Sequence, residues 1–209
     1  LRSPRRENVD GNAMLAGKAI RDGVVENEAI GCVVAEQVRN ELNDNLPAVR
    51  EDTNTALRKL RDEIVRIDKW SEALGQPSQT QISHFLTRVP IAEAVMADIL
   101  GAALTHDTTP DLTYRAIARM TQKRTPAKPG KDSSKDCIVV ESYLEVAGNL
   151  RNLGHTADIV FASSNTKEFV SSTTSVLNAD IAAEFAAVGM RYSRALHETR
   201  HLLGLPIAR

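Results

Sequence analysis

The stretch Ile159-Val160-Phe161-Ala162 constrains the fold most: four apolar residues run straight into Ser163-Ser164-Asn165-Thr166-Lys167-Glu168-Phe169. An apolar run of strand length that ends in small polar residues and an acid reads as a buried parallel strand presenting a side chain at its carboxyl end. Open α/β sheets place their ligands there. A second acidic motif, Lys131-Asp132-Ser133-Ser134-Lys135-Asp136-Cys137, opens a helical pattern upstream of that strand. Together the two motifs point to a carboxylate metal site.

The rest of the chain alternates in the same way. Met14, Leu15, Ala19 and Ile20 followed by Asp22-Gly23 predict a helix over 12–23 closed by glycine. Residues 29–35 form an apolar run of strand length, and Val38 and Leu42 continue it at helical spacing. From 49 to about 74, Leu57, Leu60, Ile64 and Ile67 share one face and charged residues the other. Gly75-Gln76-Pro77-Ser78 interrupts the pattern, and a second helical stretch from about 80 to 104 predicts a hairpin insertion over about 50–104. Residues 105–112 read as polar loop, 114–120 as a short helix, and 121–131 as a loop rich in Lys, Arg and Pro at the mouth of the site. Residues 133–150 read as a helix, 159–162 as a strand, 181–188 as a helix, 190–192 as a short strand and 194–203 as a terminal helix. Short strands alternating with helices predict one α/β domain over 1–209 with a parallel sheet.

Hard divalent cations such as Mg²⁺ or Mn²⁺ prefer oxygen ligands, so carboxylates converging at a sheet end suit them. Such an ion activates water and stabilises charge developing on a phosphodiester. Asp132 and Asp136 lie four apart and share a face if both are helical. Glu168 comes from the next strand end, and Glu41 from the helix after the first visible strand. The same spacings also satisfy capping boxes: Ser133 with Asp136, and Asn165 with Glu168, could simply cover backbone amides at helix starts. Glu41 also reads as a solvated acid beside Asn40 and Asn43-Asp44-Asn45. Lys123, Arg124, Lys128 and Lys131 precede the central acidic helix and could contact a phosphate backbone, or form a solvated loop.

Composition narrows these choices only a little. The net charge is −1 with 25% charged residues, so no global basic field announces nucleic acid. Aromatics make up 4%, which leaves few platforms for stacking bases; Trp70, Tyr114 and Tyr143 serve equally well as packing residues. Cys32 and Cys137 are the two cysteines and supply neither a disulfide framework nor a thiolate cluster, as expected in a reducing compartment such as the cytoplasm. No signal segment and no apolar run of about 18 residues is present, so no membrane association is expected.

Three stretches carry a family resemblance: residues 33–42 (Val-Val-Ala-Glu-Gln-Val-Arg-Asn-Glu-Leu), 131–141, and 159–169. In this order they resemble the PIN-like nucleases, particularly the larger branch with a helical insertion, related to the ribonuclease toxins of toxin–antitoxin pairs. The resemblance spans about residues 1–170 in segment order. It implies a Rossmann-like three-layer fold, hydrolysis of RNA phosphodiesters with Mg²⁺ or Mn²⁺, and a metal site of Glu41, Asp136 and Glu168 with Asp132 as an accessory. Ser163 and Asn165 match the polar residues lining that site, and Lys128 and Lys131 are the candidate substrate contacts. Glu168 stands where aspartate is usual, one methylene longer. The family also opens with a central strand bearing an aspartate; here that strand is missing, and Asp10 follows residues too polar for a buried central strand. The chain opens at Leu1 and reads as a fragment whose natural start lies upstream. A catalytically inactive scaffold that binds a protein partner is therefore the alternative, and a cognate inhibitor protein and a homodimer are the other partners considered.

One louder motif remains. His197-Glu198-Thr199-Arg200-His201 is a literal zinc-peptidase signature, in which two histidines hold zinc and the glutamate acts as base. The longer form of that pattern needs a third ligand at Ile207, and catalytic zinc ordinarily uses three protein ligands. The pattern is read as the polar face of a terminal helix, with a zinc peptidase as the rival. His106 and His155 read as isolated surface residues.

Overall fold

A computed structural model describes residues 11–76, 88–171 and 176–206. Its elements run α1 (Gly11–Arg21), a π-helical turn (Asp22–Glu26), β1 (Val33–Ala35), α2 (Glu36–Ala73), α3 (Arg88–Ala102), β2 (Leu104–His106) and α4 (Pro110–Thr121). There follow α5 (Ser134–Asn152), β3 (Ile159–Ala162), α6 (Thr166–Phe169), α7 (Ala179–Ala187), β4 (Met190–Ser193) and α8 (Leu196–Leu202). The chain is α/β and rich in helix. Its short strands pair in parallel, as the alternation of elements predicts, but among the described residues they form two separate two-stranded sheets rather than one. Val33 pairs with Leu104 in the first, and Ile159 with Met190 in the second.

The elements follow local chemistry. Thr109 caps α4 by accepting the Leu112 N–H at 3.2 Å, and Pro110 occupies the first turn, where its missing donor costs nothing. Gly154, at φ 83°, follows the end of α5 in the left-handed region that glycine adopts freely. The helical spacings at Val38 and Leu42 and from 49 to about 74 join in one helix, α2, which is continuous through Pro47. Proline removes one amide donor, and the carbonyl it deprives, that of Asn43, belongs to an exposed residue and can be hydrated.

The helix α3 runs antiparallel to the first half of α2, whereas the hairpin reading pairs it with residues 49–74. Arg39 Nη2 donates to Leu100 O at 2.8 Å and Ala103 O at 2.9 Å, and Arg50 forks onto Glu93 at 2.8 and 3.0 Å. The expected start of that second helix, residues 80–87, lies outside the described residues. Strand β2 replaces the expected helix end at Leu104 and the polar loop from Thr105, since Leu104-Thr105-His106 carries no strand alternation; it pairs through its backbone, with Leu104 exposed. His106 is not an isolated surface residue, since it ends β2 with Nε2 buried 3.2 Å from Glu145 Oε1.

The main core lies where α5, β3, α6, α7 and β4 meet: Val140, Ala147, Phe161, Phe169, Ile181, Phe185 and Met190. Phe161 sits at its centre with rings of Tyr143, Phe169, Phe185 and Tyr192 around it at centroid distances of 5.2, 5.5, 5.4 and 6.1 Å. Burying each such ring contributes about 1.5–3 kcal/mol. A smaller cluster, Ile20, Val24, Val95 and Ile99, joins α1 and the π-helical turn to α3. Tyr143 is thus a packing residue, whereas Trp70 and Tyr114 stand exposed. No helix among the described residues is long and apolar enough to cross a membrane.

Candidate metal and phosphate site

Strand β3 ends at Ala162, and the next six residues turn its direction and deliver Glu168. Ser163 N–H extends the pairing to Ser193 O at 2.9 Å, and Ser163 Oγ accepts the Asn165 N–H at 3.3 Å. Asn165 O accepts the Glu168 N–H at 3.2 Å. Ser163 and Asn165 therefore shape the turn that carries the acid. Glu168 is buried, at 7% exposure.

Two lysines from the loop between α4 and α5 meet that carboxylate. Lys131 Nζ donates to Glu168 Oε1 at 2.7 Å, and the same ammonium lies 3.6 Å from Asp136 Oδ2. Lys128 Nζ donates to Lys167 O at 2.6 Å and stands 3.0 Å from Glu168 Oε2. That second approach is charge to charge, without the alignment of a hydrogen bond, so buried Oε2 takes no donor. One cationic centre thus sits between the two acids singled out from sequence.

The electrostatics separate the two carboxyls. Burial raises the Asp136 pKa, Lys131 opposes it, and the negative charges of Glu168 and Glu41 raise it further. For Glu168 burial works in the same direction, but the hydrogen bond from Lys131 and the charges of Lys131 and Lys128 outweigh it and hold the group below its ordinary value. The two acids part because the ammonium of Lys131 is 2.7 Å from Glu168 but 3.6 Å from Asp136, where burial outweighs it. Glu41 belongs to this electrostatic neighbourhood, and its own Oε1 accepts Gln37 Nε2 at 3.0 Å.

Asp132 takes a different place. Helix α5 begins at Ser134, so Asp132 precedes it rather than sharing a helical face with Asp136. Its Oδ1 accepts the Ser134 N–H at 2.9 Å, and hydrogen bonding to Ser134 holds its pKa low. The capping-box spacings are not used as such: neither Ser133 nor Asn165 makes a side-chain cap. Ser133 Oγ instead accepts the Lys128 N–H at 3.3 Å. Among the described residues no three of His, Cys, Asp and Glu approach closely enough to hold a metal ion as they stand. Asp10 lies outside the described residues.

The lysine loop is anchored by a buried charge network that the sequence reading missed. Arg119, 1% exposed, donates through Nε to Glu141 Oε1 at 2.7 Å, through Nη1 to Thr125 O at 2.6 Å and through Nη2 to Glu184 Oε2 at 2.6 Å. Arg124 also pairs with Glu184, which removes it from the expected phosphate contacts. Asp180 accepts both the Thr125 N–H at 2.6 Å and its hydroxyl at 2.8 Å. A signal did exist: Arg119 continues the buried stripe Leu112, Ala116, Arg119 of α4 at helical spacing. An arginine on a core-facing stripe demands buried acids.

The terminal motif has its own geometry. His197 and His201 are exposed on α8, and Glu198 Oε2 accepts the Arg194 N–H at 2.7 Å at the start of that helix. His155 is also exposed.

No protein-family model matches the chain, and neither does any curated protein or solved structure.

Proposed function

We infer that this chain is a PIN-like nuclease domain that hydrolyses phosphodiesters with a divalent cation, RNA being the substrate the resemblance implies. The observation that supports the reading is the shared ammonium: Lys131 Nζ stands 2.7 Å from Glu168 and 3.6 Å from Asp136. Oxygen donors already gathered around a positive charge suit Mg²⁺ or Mn²⁺, and buried Oε2 of Glu168 faces the Lys128 ammonium at 3.0 Å without an aligned hydrogen bond. Asp136 and Glu168 would hold the ion, with Glu41 as the third acid. When bound, the ion supplies a Lewis acid and a water of lowered pKa.

The residues of the chain contribute the rest. Asp136 and Glu168 fix the position of positive charge at the end of β3, and the turn built by Ser163 and Asn165 sets where Glu168 projects. Lys128 and Lys131 carry charge of the sign that a scissile phosphate and its leaving oxygen need. The Rossmann-like three-layer arrangement belongs to the same proposal.

Titrating Mn²⁺ into wild type and Asp136→Asn while following cleavage of a labelled single-stranded RNA tests the reading. Cleavage that needs both the metal and Asp136 is the expected result; absence of metal-dependent cleavage in wild type overturns it. A second reading, an inactive PIN-like scaffold for a protein partner, draws on the absence of three closely grouped ligands among the described residues. Mn²⁺ binding without cleavage would favour it.

A further inference from the structure

Beside the acids lies a cavity of about 170 Å³ lined by Lys123, Lys128, Lys131, Ser133, Met120 and Pro129, with Ala127 between them. Three lysines and no acid line it, so its chemistry is that of an anion site. The Ser133 side chain is almost fully buried at 2% exposure and faces the same space. The positions of these groups are set by the backbone. Thr125 is bonded to Asp180 and Arg119, the Ser133 hydroxyl accepts the Lys128 N–H, and Lys131 N–H donates to Lys128 O at 3.3 Å.

Two of the three lysines turn toward the neighbouring acids. Lys128 and Lys131 neutralise Glu168, and Lys131 also approaches Asp136. Lys123 forms none of the ion pairs among the described residues and remains with the cavity. The Lys128 and Lys131 side chains are 43% and 49% exposed, so each can change partner by rotating its stem without leaving water.

We propose that this cavity is a phosphate-binding pocket, and that Lys128 and Lys131 leave Glu168 and Asp136 to hold the phosphate when a divalent cation takes over the two carboxylates. The cation half of this inference rests on the nuclease reading; the pocket and its linkage to the cation go beyond it. The reason is charge balance. Two ammonium groups cannot neutralise the acids and a phosphate at the same atoms, so an anion in the pocket withdraws the acids' counter-charge and strengthens their hold on a cation. By thermodynamic reciprocity the cation strengthens the anion to the same degree.

Binding alone tests this, apart from cleavage. Mn²⁺ affinity is measured by electron paramagnetic resonance for wild type, Lys131→Met, Lys131→Gln and Lys123→Met. Inorganic phosphate affinity is measured by calorimetry with and without Mg²⁺, and circular dichroism verifies that each variant is folded. Both Lys131 variants are expected to bind Mn²⁺ at least about fivefold tighter, and Mg²⁺ to tighten phosphate by a similar factor, the lower end of ordinary couplings. Lys123→Met is expected to weaken phosphate and leave Mn²⁺ affinity unchanged. Unchanged or weaker Mn²⁺ binding in folded Lys131 variants overturns the proposal while the nuclease reading stands, as does phosphate binding indifferent to Mg²⁺. Mn²⁺ binding seen in the Lys131 variants but not in wild type supports the displacement and sinks the nuclease reading instead; no Mn²⁺ binding in any variant overturns both.

Discussion

The Tyr143 hydroxyl accepts the backbone N–H of Ala35 at 3.2 Å, so a side chain of α5 takes an amide at the last residue of β1. The same ring lies edge-on to Phe161 of β3, at 5.2 Å between centroids. One residue thereby links the first sheet to the second. Burial raises the phenol pKa, which keeps it protonated.

Tyr143→Phe keeps the ring contact and removes the acceptor. Ala35 is fully buried, so its amide is left without a partner. A loss of roughly 1–3 kcal/mol in urea denaturation is expected, the cost of a buried unsatisfied donor. An unchanged midpoint would show that the bond contributes nothing to stability.

Arg119→Met strips the buried network of its cation and leaves Glu141, Glu184 and the Thr125 carbonyl facing one another without it. Removing one partner of a buried ion pair costs about 3–5 kcal/mol. Lysine at 119 is expected to recover only part of that, because a single ammonium cannot fork to three acceptors in fixed directions. Equal stability of the two variants would contradict this account.

The two site acids are expected to give opposite pH slopes. Asp136 has a raised pKa in the folded state, mainly from burial, so its contribution is favourable below its unfolded pKa and is lost as pH rises through the folded value. Glu168 has a lowered pKa; its contribution is present above the unfolded value and lost as pH falls through the folded one. Melting Asp136→Asn and Glu168→Gln beside wild type between pH 3 and 8 reads both. Relative to wild type, Asp136→Asn should gain as pH rises and Glu168→Gln should lose; slopes of the same sign would refute the assignment.

Cys137 is fully buried, and burial pushes its thiol pKa to about 11. At pH 8 roughly one thiol in a thousand is then ionised, and thiolate is the reactive form. Iodoacetamide should label Cys137 in the native protein only at the rate of unfolding, which mass spectrometry of digested samples follows. Cys32 is only partly buried and should react sooner. Prompt native alkylation of Cys137 would show that it is not enclosed.

Much of the element order was legible because it is local. Strand β3 falls on residues 159–162 as read, since a four-residue apolar run rich in β-branched and aromatic residues is too short for a helix and is bounded by polar turn residues. Helix α5 was legible from its apolar spacing. Strand β2 was not, because its residues alternate no polarity and only pairing with β1 makes it a strand. The passage of α2 through Pro47 was hidden for a related reason: the tolerance of proline there depends on the exposure of Asn43.

The candidate site divides in the same way. By itself the sequence determined that acids open α5 and follow β3, and that lysines precede them, because these are matters of adjacency along the chain. The tertiary structure alone decided that Lys131 reaches Glu168, 37 positions away, and places one ammonium between it and Asp136. It alone turned Arg119 inward onto Glu141 and Glu184, 22 and 65 positions away. Charges acquire partners through space, and the strength of each pair depends on the burial around it. Neither distance nor burial is written in local periodicity, so the chemistry of the acids became readable only once the chain had closed around them.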